Sequence, residues 1–263
     1  MGRKLFLLSS LVWMLVAGGC GAMAQQVAND ANPLYRPTVI QLHTISVPPI
    51  DGLPFSATAI IENRQIMQDG TVAESRNLNL IGRDSRGRTH GEMRARVPMS
   101  SKDTPHLGEV TLYDPRTGTR TVCNTDTHIA VRTHASVPRI MANTAPANVP
   151  GVTVEDLGTS TVNNIDVRGT RRSVVIPAAN NSTGAAITVV DEYWYSEDLH
   201  LDILLLHNDP RTGEQKIALI NLQRAEPPPA FFEVPEGYKI VDMTPPPGAP
   251  ALQRMTPSPA TSR

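Results

Sequence analysis

Residues 199–222, LHLDILLLHNDPRTGEQKIALINL, decide the fold class. Successive side chains of a strand point to opposite sides, so Leu201, Ile203 and Leu205 fall on one face and Leu204 and Leu206 on the other. In the second half Ile217 and Leu219 oppose Ala218, Ile220 and Leu222. DPRTG between them supplies a turn, and the stretch reads as a hairpin whose two strands are each apolar on both faces. A strand buried twice needs a covering layer, which is a helix, a loop, or a ligand held in a concave sheet. On the last of these readings Leu204, Leu206, Ile220 and Leu222 are the ligand-contacting side chains.

The pentapeptide DPRTG occurs twice, at 114–118 and 209–213. In both copies Asp can hydrogen-bond the turn backbone, Pro presets φ, and Gly accepts the positive φ that closes the loop. The flanks EVTLY and TRTVCN share no apolar pattern with ILLLHN and EQKIAL. The identity ends where turn chemistry ends, which indicates convergent turns and not a duplicated domain. Both copies are expected as exposed hairpin loops with Gly118 and Gly213 at positive φ.

Hairpins continue on either side. FSATAIIENRQI (55–66) places Phe55, Ala57, Ala59 and Ile61 on one face, Asp69-Gly70 supplies a tight turn, and TVAESRNLNLIG (71–82) returns. DSRGR (84–88) is a type I turn leading into RTHGEMRARV (88–97), where Arg88, His90, Glu92, Arg94 and Arg96 share a face expected to meet solvent. TDTHIAVRTH (125–134) reads as a short helix capped at Thr125 or Asp126, followed by a proline-punctuated connection over 138–151. Apolar strands then resume, and AFFEVPEGYKIVD (230–242) gathers Phe231, Phe232, Val234 and Tyr238 at the end of the fold. The pattern predicts a mostly β domain over 53–242, a single strongly curved antiparallel sheet of about ten strands with one or two short helices.

The ends differ in character. MGRK is a short basic start, LFLLSSLVWMLVAGG is an apolar run too short for a confident membrane span, and Ala22-Met23-Ala24 has the form that signal peptidase accepts. Residues 1–24 therefore read as a secretory signal peptide, with a mature chain starting at Gln25 that is periplasmic or secreted. VAGGC offers an alternative, a lipid anchor at Cys20, although Ala17 stands where a lipobox usually has leucine. Residues 25–52 form an N-terminal extension, and 243–263 a proline-rich tail expected to be disordered. Loss of Arg3 and Lys4 leaves 22 basic and 25 acidic residues, a formal charge of −3, which argues against a nucleic-acid partner. It also leaves Cys123 as the one thiol, without a disulfide partner.

No spacing encodes a reaction. G-x-S-x-G, H-E-x-x-H, a Gly-rich phosphate loop and paired cysteines are all missing, so neither a cofactor nor a metal is expected. The seven histidines are dispersed, Asp191 and Glu192 leave a strand on opposite faces, and Cys123 reads as a small buried hydrophobe. No catalytic residue is assigned.

VEDLGTSTVNNIDVRGTRRSVVIP (154–177), the long run ITVVDEYWYS to EGYKIV (187–241), and the turns DGT, RDSRGRTH and TLYDPRTGTR resemble a group of uncharacterised exported proteins of acidobacterial type over residues 53–242. That group is similar in layout to the LolA, LolB and RseB-like lipoprotein carriers and stress sensors, with the W/Y-Y-S strand end and the closing F-x-V-P-x-G-Y among the shared marks. The resemblance implies a curved antiparallel sheet forming an open half-barrel around an apolar cavity, and carries over no functional residue. Two functions compete: a cell-envelope protein binding a lipid or other apolar small molecule, and an envelope protein-interaction or sensor module that uses an exposed sheet edge. A hydrolase comes last. N-terminal sequencing and intact mass of chain recovered from the envelope fraction are expected to give Gln25 as the first residue; a diacylated chain starting at Cys20 refutes cleavage after Ala24.

Overall fold

The computed structural model describes residues 45–67, 69–135, 151–181 and 183–244. The expected signal peptide, most of the N-terminal extension, the 138–150 connection and nearly all of the proline-rich tail lie outside the described residues. Thirteen strands are described: β1 (Phe55–Ile66), β2 (Val72–Arg83), β3 (Thr89–Arg94), β4 (Val97–Pro98), β5 (Leu107–Asp114), β6 (Thr119–Asn124), β7 (Ile129–His134), β8 (Val152–Val162), β9 (Ile165–Ile176), β10 (Ile187–Ser196), β11 (Leu201–Asp209), β12 (Gly213–Gln223) and β13 (Lys239–Asp242). Two 3₁₀ turns, Ala178–Asn180 and Pro229–Phe232, complete the elements.

All thirteen strands form one sheet in the order β13-β7-β6-β5-β3-β2-β1-β12-β11-β10-β9-β8, with β4 paired to β2. The two ends do not pair with each other, so the sheet is open. Register shifts in four pairings bend its strands, as bulges do. The expectation of about ten strands was low, and β13 departs from the antiparallel rule by running parallel to β7. Its four residues return to the sheet after the Pro229–Phe232 crossing, with β8 to β12 lying between the two parallel strands in sequence. The expected helix over 125–134 is a hairpin turn followed by β7. Asn124 Oδ1 accepts the Thr127 N–H at 2.9 Å and its hydroxyl at 2.8 Å, and His128 takes the left-handed conformation that completes the turn.

One face of the larger part of the sheet is densely packed. Phe55, Ala57, Ala59, Ile61, Ile81, Ile203, Leu205, Ile217 and Leu219 are buried in one cluster with Leu199, Leu201, Ile165 and Val167. The core begins before the first strand, since Ile45 joins this cluster with Val47 packed against it. Arg83 is the largest side chain with no exposure at all. Its Nε donates to Leu53 O, Nη1 to Pro48 O and Nη2 to Leu199 O, each at 2.8 Å. Burial pulls its pKa down to about 10, which leaves it cationic at neutral pH.

The smaller part of the sheet has its own core, Val110, Leu112, Cys123 and Ala130, closed by Leu107, Val234 and Tyr238. Cys123 is thus a buried hydrophobe, and burial pushes its thiol pKa up. The closing motif crosses here. Phe231 stacks on His90 at 3.9 Å between ring centroids, fills the space over Gly82, and accepts a 2.6 Å hydrogen bond from His90 Nδ1 through its carbonyl. Arg88 lies over the Phe232 ring. The face of β3 expected to be wet is therefore covered: His90 and Glu92 are buried, whereas Met93 on the other face is 48% exposed. Period-two polarity misled because a distant aromatic pair, and not the sheet's own core, decides which face of β3 meets water.

The two DPRTG copies are both hairpin turns, with Gly118 at φ 61° and Gly213 at φ 112°. Asp114 Oδ1 accepts the Arg116 N–H and Asp209 Oδ1 accepts the Arg211 N–H, both at 2.9 Å. They close differently, because Asp114 pairs with Thr119 while Asp209 pairs with Gly213 itself. The second copy exposes Pro210 and Thr212 as expected, but its two ends are buried: Asp209 is 2% exposed and Gly213 presses on β1. A Cβ added at Gly213 would stand 1.9 Å from Arg64 O, whereas at Gly118 it would meet the movable His134 ring at 2.7 Å. Gly213→Ala is expected to cost about 3 kcal/mol or more in chemical denaturation, from combined clash and left-handed strain, and Gly118→Ala only about 1 kcal/mol. Equal losses would refute the different closures.

Candidate functional site

Directly opposed residues of antiparallel neighbours share a face, which makes side-by-side rows legible from register. Leu204 opposes Ala218, which opposes Ile60, which opposes Leu78, giving one apolar row across β11, β12, β1 and β2. On β10 Trp194 opposes Leu204, but the register shift that follows it leaves its ring over Gly169 and packed against the buried cluster, so the open row ends at Leu204. Thr58 opposes both Ile220 and Leu80 in the neighbouring row. Ile60, Leu78, Leu80, Leu204, Leu206 and Ile220 are half-buried, while Ile61, Ile203, Ile217 and Leu219 behind them are at most 2% exposed. The strands are thus apolar on both faces, with one face packed and the other partly open.

Three of the four residues singled out from the sequence share this open face. Leu222 does not. Ser56 pairs with Gln223 but Thr58 with Ile220, so two residues of β12 oppose Ala57 alone, and Asn221 sits at φ 53°. This bulge interrupts the alternation and turns Leu222 toward the packed cluster. Sequence reading missed Ile60, Leu78 and Leu80, although the same signal was present: adjacent Ile60-Ile61, and leucine at alternate positions of NLNLIG.

Two residues further along the same face the character changes. Glu155, Arg171, Glu192, Leu206, Lys216, Glu62 and Arg76 oppose one another in sequence across seven strands, with Leu206 the one apolar member. Arg171 bridges Glu192 at 2.8 Å and Glu155 at 3.0 Å, and Lys216 meets Glu62 at 3.3 Å. Around this row lies a groove of about 560 Å³, lined by Leu206, Val190 and Met99 together with Glu62, Glu192 and Lys216 among other polar residues. Of the expected ligand contacts Leu206 alone reaches it. The arrangement can accept an elongated apolar group on the Leu204–Leu78 row and a polar group at its charged border.

The opposite face carries a polar row at the same level: Asn63, Gln215, His207, Asp191 and Arg172. Gln215 donates to Asn63 at 2.9 Å, His207 Nδ1 lies 2.6 Å from Asp191, and Arg172 donates to the same carboxylate at 3.2 Å. This row ends the packed core as the charged row ends the apolar band behind it. The hydrogen bond to Asp191 raises the His207 pKa against the opposing effect of burial. Burial lifts Asp202 on the same strand to about 6. Among the described residues no group of three or more His, Cys, Asp or Glu side chains is placed to hold a metal ion.

No family model and no curated protein matches the chain. Solved structures that resemble it include an uncharacterised conserved protein from Thermus thermophilus, with TM-score 0.38 and 10% identity, covering 73% of this chain and 91% of that one. The MucA/MucB complex of Pseudomonas aeruginosa gives TM-score 0.37 and 12% identity, covering 72% of this chain and 58% of that one. A LolA superfamily protein from Nitrosomonas europaea gives TM-score 0.28 and 11% identity, covering 70% and 91%. The curved open sheet itself stands on this chain's own strand pairing.

Because the folded-state pKa of His207 lies above its unfolded value near 6.5, its pairing with Asp191 contributes stability that is full below that value. The contribution is lost as pH rises through the folded pKa. The stability difference between wild type and His207→Gln, measured by urea denaturation from pH 5.5 to 8.5, is expected to be largest at the acid end and to shrink toward the alkaline end. Taking the difference cancels the titration of Asp202. A gap that widens with rising pH refutes the pairing.

Proposed function

We propose that this chain is an exported cell-envelope protein that binds an amphiphile, an acyl chain or a similar apolar ligand, against its open sheet. The observation that carries the reading is the banding of one sheet face, where the apolar row from Leu204 to Leu78 meets the charged row through Leu206. An apolar ligand gains about 25 cal/mol for each Å² it removes from water, and a face already half covered by its own neighbours costs little to leave empty. Leu204 and Ile220 then contact the chain, and Leu206 stands where its polar end meets Lys216 and Glu62. The basic, apolar and small-residue segments of residues 1–24 support export.

A second reading, an interaction module using a sheet edge, is favoured by β8. Its eleven residues stand at the end of the strand order, and among the described residues no strand pairs with its outer side.

Titration with a dansyl-labelled fatty acid tests the first reading. Wild type is expected to bind it, and Leu206→Ser to weaken binding by about tenfold, as for loss of an apolar contact worth about 1.4 kcal/mol. Because Leu206 is half-buried, the same variant is expected to lose no more than about 2 kcal/mol of stability. Absence of probe binding by wild type refutes the reading.

A further inference from the structure

The outer edge of β8 is suited to pair with a second copy of itself. Gly151 O accepts the Val175 N–H at 2.8 Å in the register that pairs Val152 with Val174. Bonded and non-bonded pairs alternate in an antiparallel ladder, so the backbone groups of Thr153 and Glu155 turn toward β9 and those of Val152, Val154 and Asp156 turn away from it. These three residues present outward N–H and C=O groups on a strand end without lysine or proline, and its two charged side chains, Glu155 and Asp156, are each paired with an arginine of β9. The opposite end of the sheet, β13, is protected: it is four residues long and begins with Lys239.

Charge and shape single out the occupant. We propose that two copies of this chain join their β8 strands antiparallel about a two-fold axis at Val154, which extends both sheets into one. In that register Val154 faces Val154 of the second copy, Thr153 faces Glu155, and Val152 faces Asp156, so no like charges oppose. Val154 is 49% exposed and loses that exposure against its own counterpart. Glu155 and Asp156 do not oppose the approach, because Arg171 and Arg168 already pair with them across β8 and β9. A register shift between Asp156 and Gly158, with Gly158 at φ 76°, ends the usable edge and fixes its length at Val152–Asp156. So short a contact buries less than the roughly 1,200 Å² of a stable interface, which makes the dimer weak and concentration-dependent. The inference rests on the edge reading of function and needs no ligand.

Sedimentation velocity over a concentration series tests it. Wild type is expected to shift from monomer toward dimer with concentration. Val154→Pro removes one outward N–H and leaves the β9 ladder intact, and Val154→Lys adds an edge charge; each is expected to raise the dissociation constant by at least about tenfold with unchanged circular dichroism. Val154→Cys in the mature chain from Gln25 is expected to form a disulfide-linked dimer under mild oxidant, whereas Lys239→Cys on β13 and wild type, whose one thiol is the buried Cys123, are not. A wild type that stays monomeric up to about 1 mM, or a dimer untouched by Val154→Pro and Val154→Lys, overturns the proposal. A monomeric wild type that instead takes up an unrelated extended peptide at β8, blocked by Val154→Pro, overturns self-pairing and leaves the edge reading standing.

Discussion

The buried guanidinium of Arg83 is the constraint on which the rest of the packed face depends. It leaves the end of β2 and reaches three carbonyls that belong to no neighbouring strand, two in the segment before β1 and one in the turn between β10 and β11. A desolvated cation costs several kcal/mol unless its donors are satisfied, and an arginine fork satisfies several at once in one plane. The requirement runs both ways. Leu53, Pro48 and Leu199 carbonyls need a donor where water is excluded, and Arg83 needs acceptors. The segment carrying Ile45 and Val47 and the turn carrying Leu199 are thereby held over the face that Ala57 and Ala59 leave shallow.

Closure of the smaller part of the sheet follows a different logic. There the chain returns after β12, lays Phe231 on His90 and Gly82, buries Phe232, and feeds Val234 and Tyr238 into the second core. Burial lowers the His90 pKa, partly offset by its bond to the Phe231 carbonyl, so the imidazole sits neutral beneath the ring. The closing motif is thus a strap whose aromatic residues replace the helix that such a sheet would otherwise need. Its last act is to lay β13 beside β7 and so cap one edge.

The character of the sheet's two faces changes with level. At the height of Ile61 and Leu204 both faces are apolar, and at the height of Leu206 and His207 both become polar, one through ion pairs and the other through a hydrogen-bonded row. A ligand that is apolar along its length and polar at one end meets the same change of environment. The interaction reading draws on the β8 edge, which shares with the ligand reading only Glu155, at the end of the charged row.

Period-two alternation in 199–222 was enough to establish strands, their hairpin and the two-faced apolar pattern, because those depend on neighbours in sequence. The turn chemistry of DPRTG was equally local, and Gly118 and Gly213 adopt the positive φ it requires. Three of the four candidate contacts landed on one face for the same reason. Leu222 did not, because the bulge at Asn221 comes from the pairing of β12 with β1 and has no signature in β12 alone. The wet face assigned to β3 failed likewise, since the residue that covers His90 lies 141 positions away. Arg83 reads locally as one more arginine at a strand end, and only the meeting of three distant carbonyls gives it a partner set. Alternation and turns are properties of a few consecutive residues; which face is covered, and by what, is decided by segments that meet only when the chain has folded.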